Sequence, residues 1–268
     1  MPTLRRLYRF LRLVLHVLSG VMLILFRMGP NPEHYHQRDW RIICGWMVTL
    51  CRILGLRVTV TGEPVAGPAL FVANHISWQD IVVLQSLAPT GFVAKHEIRG
   101  WPLIGWMAHR GATLFIRRGK RESMQQLKDA MASRLQARQS LLIFPEGTTT
   151  HGHTIKPFRT RLFEPAIEMN LPIQPVAVHY SCKDKVCKDL AFIGEEHFVA
   201  HAWRMLGEKQ VEVLVHFCEP VDARGRDRRE LGQLAQMKIV QTLGGRLDAL
   251  PASLVSMNEL SFDSDSKN

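Results

Sequence analysis

Residues 69–87 read ALFVANHISWQDIVVLQSL, which is the pattern of a strand, a turn and a helix. The apolar run over 69–73 is typical of a buried strand, and the second run over 81–87 is typical of a helix. Ser77 suits the N-cap of that helix, with Asp80 three residues on as its capping-box partner. This arrangement puts His75 in the turn, where Asp80 can meet it across the junction.

The pair His75 and Asp80 has two interpretations at this point. A carboxylate in contact with an imidazole fixes the tautomer of the ring, which suits a general base. Alternatively, Asp80 only caps the helix and His75 is an ordinary turn residue. The local sequence leaves both interpretations open, and the rest of the chain must decide.

Short apolar runs alternate with helical stretches on both sides of this junction. The predicted strands are 57–62, 69–73, 90–94, 112–116, 141–144, 173–179 and 211–217. The predicted helices are 78–88, 101–109, 121–138, 160–170 and 228–249. This alternation predicts an α/β domain with a mixed central sheet flanked by helices.

The N-terminal segment predicts two membrane-associated helices, separated by the break at residues 29–32. The uncharged run over 13–26 spans only ~21 Å as a helix, less than the ~30 Å hydrocarbon core. We therefore expect a helical hairpin that enters one leaflet, with Trp40 and Trp46 as interface anchors. A single spanning helix is the alternative.

The chain is strongly basic, with a net charge of +10 and a pI of about 9.7. Residues 1–60 carry nine arginines against Glu33 and Asp39, a net charge of +7. Because this excess flanks apolar helices, it favours an anionic membrane surface over nucleic acid. No zinc-finger or RNA-binding signature is present, so no nucleic-acid partner is expected.

These patterns divide the chain into three parts. We predict a membrane anchor over 1–56, an α/β domain over 57–252 and a disordered tail over 253–268. The five cysteines, 44, 51, 182, 187 and 218, lack disulfide or zinc spacing, which indicates a reducing compartment and no metal site. The expected location is the cytoplasmic face of the cell membrane, monotopic or with a single span.

Charged and polar residues follow several predicted strands where each strand ends. In open α/β sheets, sites form at the carboxyl ends of the strands. Lys95, Arg117 with Arg118, and the Gly147-Thr148 turn would therefore face one crevice with His75. Such a set suits an anionic substrate with a hydroxyl to activate, and Gly147 would let backbone N–H groups approach an oxyanion. No G-x-S-x-G or G-x-x-x-x-G-K-[ST] motif supports a serine hydrolase or a nucleoside triphosphatase.

Four ordered blocks carry a resemblance to a known family. They are Asn74-His75-x4-Asp80, Phe115-Ile116-Arg117-Arg118, Phe144-Pro145-Glu146-Gly147-Thr148 and Ile173-Gln174-Pro175-Val176-Ala177-Val178. In this order they resemble the glycerolipid acyltransferases, most closely the bacterial 1-acylglycerol-3-phosphate acyltransferases. The resemblance covers about residues 57–220, and the segment after Gly147 departs from it, with three threonines before His151.

The resemblance implies acyl transfer from acyl-CoA or acyl carrier protein to the sn-2 hydroxyl of 1-acylglycerol-3-phosphate, with no cofactor. His75 would be the general base and Asp80 would orient it. The implied acceptor-binding residues are Lys95, Arg117, Glu146, Gly147, Thr148 and Arg159. Another lysolipid, such as a lyso-ornithine lipid, is an open alternative acceptor. A catalytically idle membrane-binding protein is the other alternative.

Overall fold

A computed structural model describes residues 2–117, 121–181, 190–194 and 196–244. Within these residues the strands are β1 (Leu56–Thr61), β2 (Leu70–Ala73), β3 (Thr90–Lys95), β4 (Leu114–Ile116), β5 (Ser140–Ile143), β6 (Ile173–Ser181) and β7 (Val211–Phe217). They form one sheet in the order β1-β7-β6-β2-β5-β3-β4. The pair β6 and β7 is antiparallel and the other neighbouring pairs are parallel, so the predicted mixed sheet is confirmed.

Strand β2 lies between β6 and β5 and is covered on both faces. Phe71 and Ala73 belong to one core cluster, whereas Leu70 and Val72 belong to the other. A strand buried on both faces needs apolar residues at consecutive positions, which explains the unbroken apolar run in the sequence. The turn that carries His75 therefore begins at a fixed interior position.

Helices cover both faces of this sheet. They are α1 (Pro2–Phe26), α2 (Gln37–Leu54), α3 (Gln79–Leu87), α4 (His96–Arg99), α5 (Ile104–Arg110), α6 (Arg121–Gln136), α7 (Glu164–Glu168), α8 (Phe198–Met205) and α9 (Arg228–Leu243). Single 3-10 turns lie at Pro32–His34 and Thr160–Phe163. Residues of α2, α3 and α8 fill one core cluster, and residues of α6, α7 and α9 fill the other.

Helix α2 is part of the core of the α/β domain. Leu50, Ile53 and Leu54 are buried, and two of them contribute to the cluster beneath α3. The helix ends at Gly55, whose left-handed backbone (φ 78°) turns the chain directly into β1. Trp40 is also buried, packed edge-on against the ring of Tyr35. The prediction of Trp40 as a membrane-interface anchor was therefore wrong.

Helix α1 lies on the outside, with its basic end bound to the domain. The Arg9 guanidinium donates to the carbonyls of Glu208 (2.6 Å) and Lys209 (3.1 Å), just beyond α8. Trp46 of α2 stacks on His16 and donates to its carbonyl (3.1 Å), so Trp46 joins the two helices. Its side chain is partly exposed, and its role as a membrane-interface anchor stays a prediction.

The exposed face of α1 is apolar along its whole length. Its exposed large side chains are Leu4, Leu7, Tyr8, Phe10, Leu11, Val14, Leu15, Leu18, Met22, Leu25 and Phe26. Among the described residues, α1 is the one helix long and apolar enough to cross a membrane. At 1.5 Å per residue its 25 residues span about 37 Å. The estimate from the uncharged run 13–26 therefore underestimated the length of the helix.

Most predicted elements are present, with local differences. The predicted helix 101–109 is present as α5, which begins only at Ile104 because Leu103 adopts a positive φ of 60° in front of it, and the short helix α4 was not predicted. Helix α8 was not predicted. Cys182, Cys187, Arg118 and the tail 253–268 lie outside the described residues.

Candidate active site

The centre of the site is a hydrogen-bonded pair formed by His75 and Asp80. His75 lies in the turn after β2, and Asp80 is the second residue of α3. His75 Nδ1 is 2.8 Å from Asp80 Oδ2, so the predicted contact is present. Because a carboxylate only accepts hydrogen bonds, Nδ1 carries the proton and Nε2 is left as the acceptor. Asp80 is fully buried, whereas 17% of the His75 side chain is exposed.

Backbone donors fix the Asp80 carboxylate from the turn side. Its Oδ2 also accepts from the N–H groups of Ile76 (2.7 Å) and Ser77 (2.9 Å). The bond from the Ser77 N–H is one half of the predicted capping box, in which the side chain of Asp80 accepts from the backbone of Ser77. The other half is absent, because Trp78 occupies the N-cap position and the Ser77 hydroxyl makes no hydrogen bond among the described residues. Asp80 therefore orders the turn and orients His75 at the same time.

The backbone around His75 is held by the neighbouring strands. The Asn74 side chain makes two hydrogen bonds to the backbone of Val178 in β6 (2.9 and 2.8 Å). On the other side, the His75 carbonyl accepts from the Thr150 N–H (2.8 Å). The His75 ring stacks on Phe144, with a centroid distance of 3.9 Å. These contacts leave the imidazole little freedom to rotate, which suits a general base.

The Glu146 side chain contacts the backbone of His75. Its Oε1 accepts from the His75 backbone N–H (2.8 Å) and its Oε2 from the Lys156 N–H (2.9 Å). The carboxylate is buried, and burial raises its pKa to about 7, although the two N–H donors act in the opposite direction. The family resemblance implied a bond from Glu146 to an acceptor hydroxyl, and the structure shows that Glu146 also holds the turn that carries His75.

The turn after Glu146 is closed by its own backbone. Gly147 has a left-handed φ of 71°, and its N–H donates to the Phe144 carbonyl (3.0 Å). A Cβ on Gly147 would lie 3.2 Å from the Arg159 guanidinium. Thr148 follows and is half-buried. Arg159 thus lies against the turn at Gly147.

Arg117 follows β4 and Lys95 is the last residue of β3, so both lie at the same edge of the sheet as His75. Three strand spacings of ~4.8 Å separate β2 from β4, which places Arg117 on the order of 14 Å from His75 along the edge. Arg117 contacts His96 Nε2 (3.0 Å), and both line a cavity of about 490 Å³ between β4, α4 and α6. The cavity is also lined by Arg99 and Glu122. Lys95 is exposed beside it but is not part of its wall.

Comparisons with known proteins fit this geometry. The profile of the Acyltransferase family matches residues 57–179. A lyso-ornithine lipid O-acyltransferase of Pseudomonas aeruginosa is 40% identical over 205 residues, which cover 76% of this chain and 79% of that protein. The chain belongs to the glycerolipid acyltransferase family.

Two further relatives extend the comparison of this acyltransferase. A 1-acyl-sn-glycerol-3-phosphate acyltransferase of Neisseria gonorrhoeae is 31% identical and covers 66% of the chain and 70% of that protein. The crystal structure of a 1-acyl-sn-glycerophosphate acyltransferase from Thermotoga maritima matches with a TM-score of 0.62 at 21% identity. It covers 90% of this chain and 98% of that chain, which shows a shared fold.

Sequence reasoning missed two polar residues at the site of the acyltransferase. Tyr180 donates a 2.6 Å hydrogen bond to Asp80 Oδ1, and His96 contacts Arg117. Tyr180 continues the alternation of Val176 and Val178 on one face of β6, so the sequence presents it as one more core residue. Only the position of the Asp80 carboxylate distinguishes it from a packing tyrosine.

The buried carboxylate of Glu146 leads to a prediction about stability and pH. Its pKa rises from 4.5 to about 7 on folding, so the fold resists its ionisation. The stability that this group contributes should be fully present below about pH 4.5 and should be lost, by about 3 kcal/mol, as the pH rises from there through 7. Glu146→Gln cannot ionise and should lack this component. Urea unfolding in detergent micelles at pH 5 and pH 8 measures the difference.

The control for this experiment is Glu168→Gln, which removes an exposed carboxylate from α7. It should keep the pH dependence of the wild-type protein. Identical pH dependence in the wild type and in Glu146→Gln would contradict the assignment of this component to Glu146.

Proposed function

We propose that this protein transfers a fatty acyl group from a thioester to the free hydroxyl of a lysolipid, with a lyso-ornithine lipid as the acceptor. The observation that carries the proposal is the His75–Asp80 pair, in which Nδ1 is bound to Asp80 while Nε2 has no hydrogen-bond partner in the described part of the chain and the side chain is 17% exposed. Intact His75 and Asp80 argue against a catalytically idle protein, which would not need this geometry.

The proposed reaction needs no covalent acyl-enzyme. His75 Nε2 removes the proton of the acceptor hydroxyl while the oxygen attacks the thioester carbonyl. Asp80 stabilises the imidazolium that forms. The carbon–sulfur bond then breaks, and the thiolate takes the proton from His75, which restores the neutral ring. The donor is acyl-CoA or acyl carrier protein, and both provide such a thioester.

The charges of the cavity support an ornithine head group. Ornithine linked through its α-amino group carries a carboxylate and an ammonium, whereas lysophosphatidate carries a phosphate monoester. Arg99 and Arg117 suit the carboxylate, and Glu122 suits the ammonium. A dianionic phosphate beside Glu122 would meet repulsion. Several relatives named lyso-ornithine lipid O-acyltransferase, at 31–40% identity, support the same acceptor.

Lysophosphatidate is the second candidate acceptor. Two arginines in one cavity also match a phosphate group, which favours the 1-acylglycerol-3-phosphate reaction predicted from the sequence. The two candidates are separated by kcat/KM of the purified protein for both acceptors in mixed micelles, with each donor type. A higher kcat/KM for the lyso-ornithine lipid supports the main proposal, and the reverse order supports lysophosphatidate.

A prediction about Glu122 tests how the acceptors are distinguished. Glu122→Gln should lower kcat/KM about 5- to 20-fold for the lyso-ornithine lipid, because it removes one charge pair. The same variant should leave kcat/KM for lysophosphatidate unchanged or raise it. Arg117→Ala should raise the KM for both acceptors, because both present an anion.

The matched control is Glu97→Gln, an exposed carboxylate on neighbouring α4 that does not line the cavity. It should leave both acceptors unaffected. An equal loss for both acceptors in Glu122→Gln would contradict the selective role of Glu122.

We further propose that the protein binds the cytoplasmic face of the membrane through α1. The apolar face of this helix is exposed, and Arg9 ties its basic end to the domain, which supports a helix that lies in one leaflet. The excess of arginine near the N-terminus would contact anionic lipid head groups. A spanning α1 is the alternative, and its length permits it.

A further inference from the structure

Strand β6 extends beyond the end of β2, past the turn that carries His75. Val176 lies opposite Ala73, the last residue of β2, and β6 continues to Ser181. Tyr180 lies in this extension and belongs to the same core cluster as Val176 and Val178. The extension therefore brings a tyrosine hydroxyl to the start of α3, where Asp80 is.

The Asp80 carboxylate divides its hydrogen bonds unequally between its two oxygens. Oδ2 accepts from His75 Nδ1 and from the N–H groups of Ile76 and Ser77. Among the described residues, Oδ1 accepts from the Tyr180 hydroxyl alone, at 2.6 Å. Since Asp80 is fully buried and shielded from solvent, the Tyr180 hydroxyl provides the hydrogen bond to Oδ1 that water would provide to an exposed carboxylate.

We propose that Tyr180 is a positioning residue for acyl transfer, which acts through Asp80 on His75. Its hydroxyl stops the carboxylate from rotating, so that Oδ2 stays on Nδ1 of the ring. It also stabilises the negative charge of Asp80 while His75 holds the proton of the acceptor hydroxyl. The inference rests on the proposed function.

The surroundings of Tyr180 keep its hydroxyl a donor. Burial raises the pKa of Tyr180 well above its usual value, and the charge of Asp80 raises it further. Cys51 faces it from α2, and burial raises the pKa of that thiol to about 11, so it is neutral. Glu146 is the other carboxylate near Asp80, and its oxygens are bound by backbone N–H groups.

Tyr180→Phe tests the proposal because it removes the hydroxyl and keeps the ring. We expect kcat to fall roughly 10- to 100-fold, the range for a hydrogen bond to a charged group, while the KM of the acceptor stays within about twofold. The matched control is Tyr35→Phe. Tyr35 is as buried as Tyr180, and its hydroxyl donates to the Arg110 carbonyl (2.8 Å) away from the site. This control should keep kcat and show a similar change in melting temperature.

A double-mutant cycle separates positioning from a merely structural effect. If Tyr180 acts through Asp80, then Tyr180→Phe should change kcat by less than about twofold in an Asp80→Asn background. The same loss in both backgrounds, or wild-type kcat in Tyr180→Phe, would overturn the role of Tyr180. A wild-type protein that transfers no acyl group to any lysolipid would overturn the proposed function, and this role with it.

Discussion

His75→Ala should reduce the turnover of acyl transfer by about 10²- to 10⁴-fold, the range expected when a general base is removed. The loss of the imidazole removes a stacking contact with Phe144 and one hydrogen bond to Asp80, whose carboxylate keeps the donors Ile76, Ser77 and Tyr180. The variant should therefore remain folded and membrane-bound. Initial rates with a labelled acyl thioester, together with circular dichroism and vesicle co-sedimentation, measure these properties.

Asp80→Asn should cause a loss of similar size for a different reason. An amide offers one acceptor oxygen where four donors converge, and its NH₂ group would face one of them. The orientation of His75 is lost although the ring is present. The control is His151→Ala, an exposed histidine in the loop after Thr150, which should keep full activity. An active His75→Ala enzyme would end the proposed mechanism.

Replacement of Leu11, Leu15 and Leu18 by serine should release the protein from vesicles. Each side chain is more than half exposed on α1, and its burial in a bilayer should contribute about 1 kcal/mol or more. Three such losses weaken membrane partitioning roughly 100-fold or more. Activity on lysolipid in vesicles should fall accordingly, whereas activity in detergent micelles should remain. Co-sedimentation and parallel rate assays measure both effects.

The control for this prediction is Val60→Ser, an exposed apolar residue on β1 away from α1. Deletion of residues 1–56 would be uninformative, because it removes Leu50 and Leu54 of α2 from the core. Retained vesicle binding in the triple variant would contradict a membrane role for α1. Protease access to both chain ends in sealed vesicles then separates the two topologies, since protection of one end only excludes the hairpin.

The sheet was predictable because each strand is marked by a short apolar run between turn residues. The strand–turn–helix junction at His75 was predictable for the same reason, and so was its contact with Asp80. The two N-terminal helices were also predicted, but their packing was not. Apolar periodicity does not reveal that α2 faces the core and α1 faces outwards, because both helices carry apolar faces and arginines.

Contacts between residues far apart in the sequence limited the prediction of the site. The family resemblance implied that Glu146 binds the acceptor, but in the structure its two oxygens accept from the backbone N–H groups of His75 and of Lys156, which comes from a later loop. Tyr180 was invisible because it is 100 residues from Asp80. A motif names the residues of a site, whereas their partners depend on how strands are placed side by side.

The most direct test of the central claim follows a labelled acyl group. Purified protein is incubated with a labelled acyl thioester, with and without lyso-ornithine lipid. The account predicts labelled diacylated lipid and free thiol in equal amounts with wild-type protein, no label on the protein when the acceptor is absent, and almost no product with His75→Ala. A stable acyl-protein adduct, or equal product from wild type and His75→Ala, would contradict direct transfer by His75.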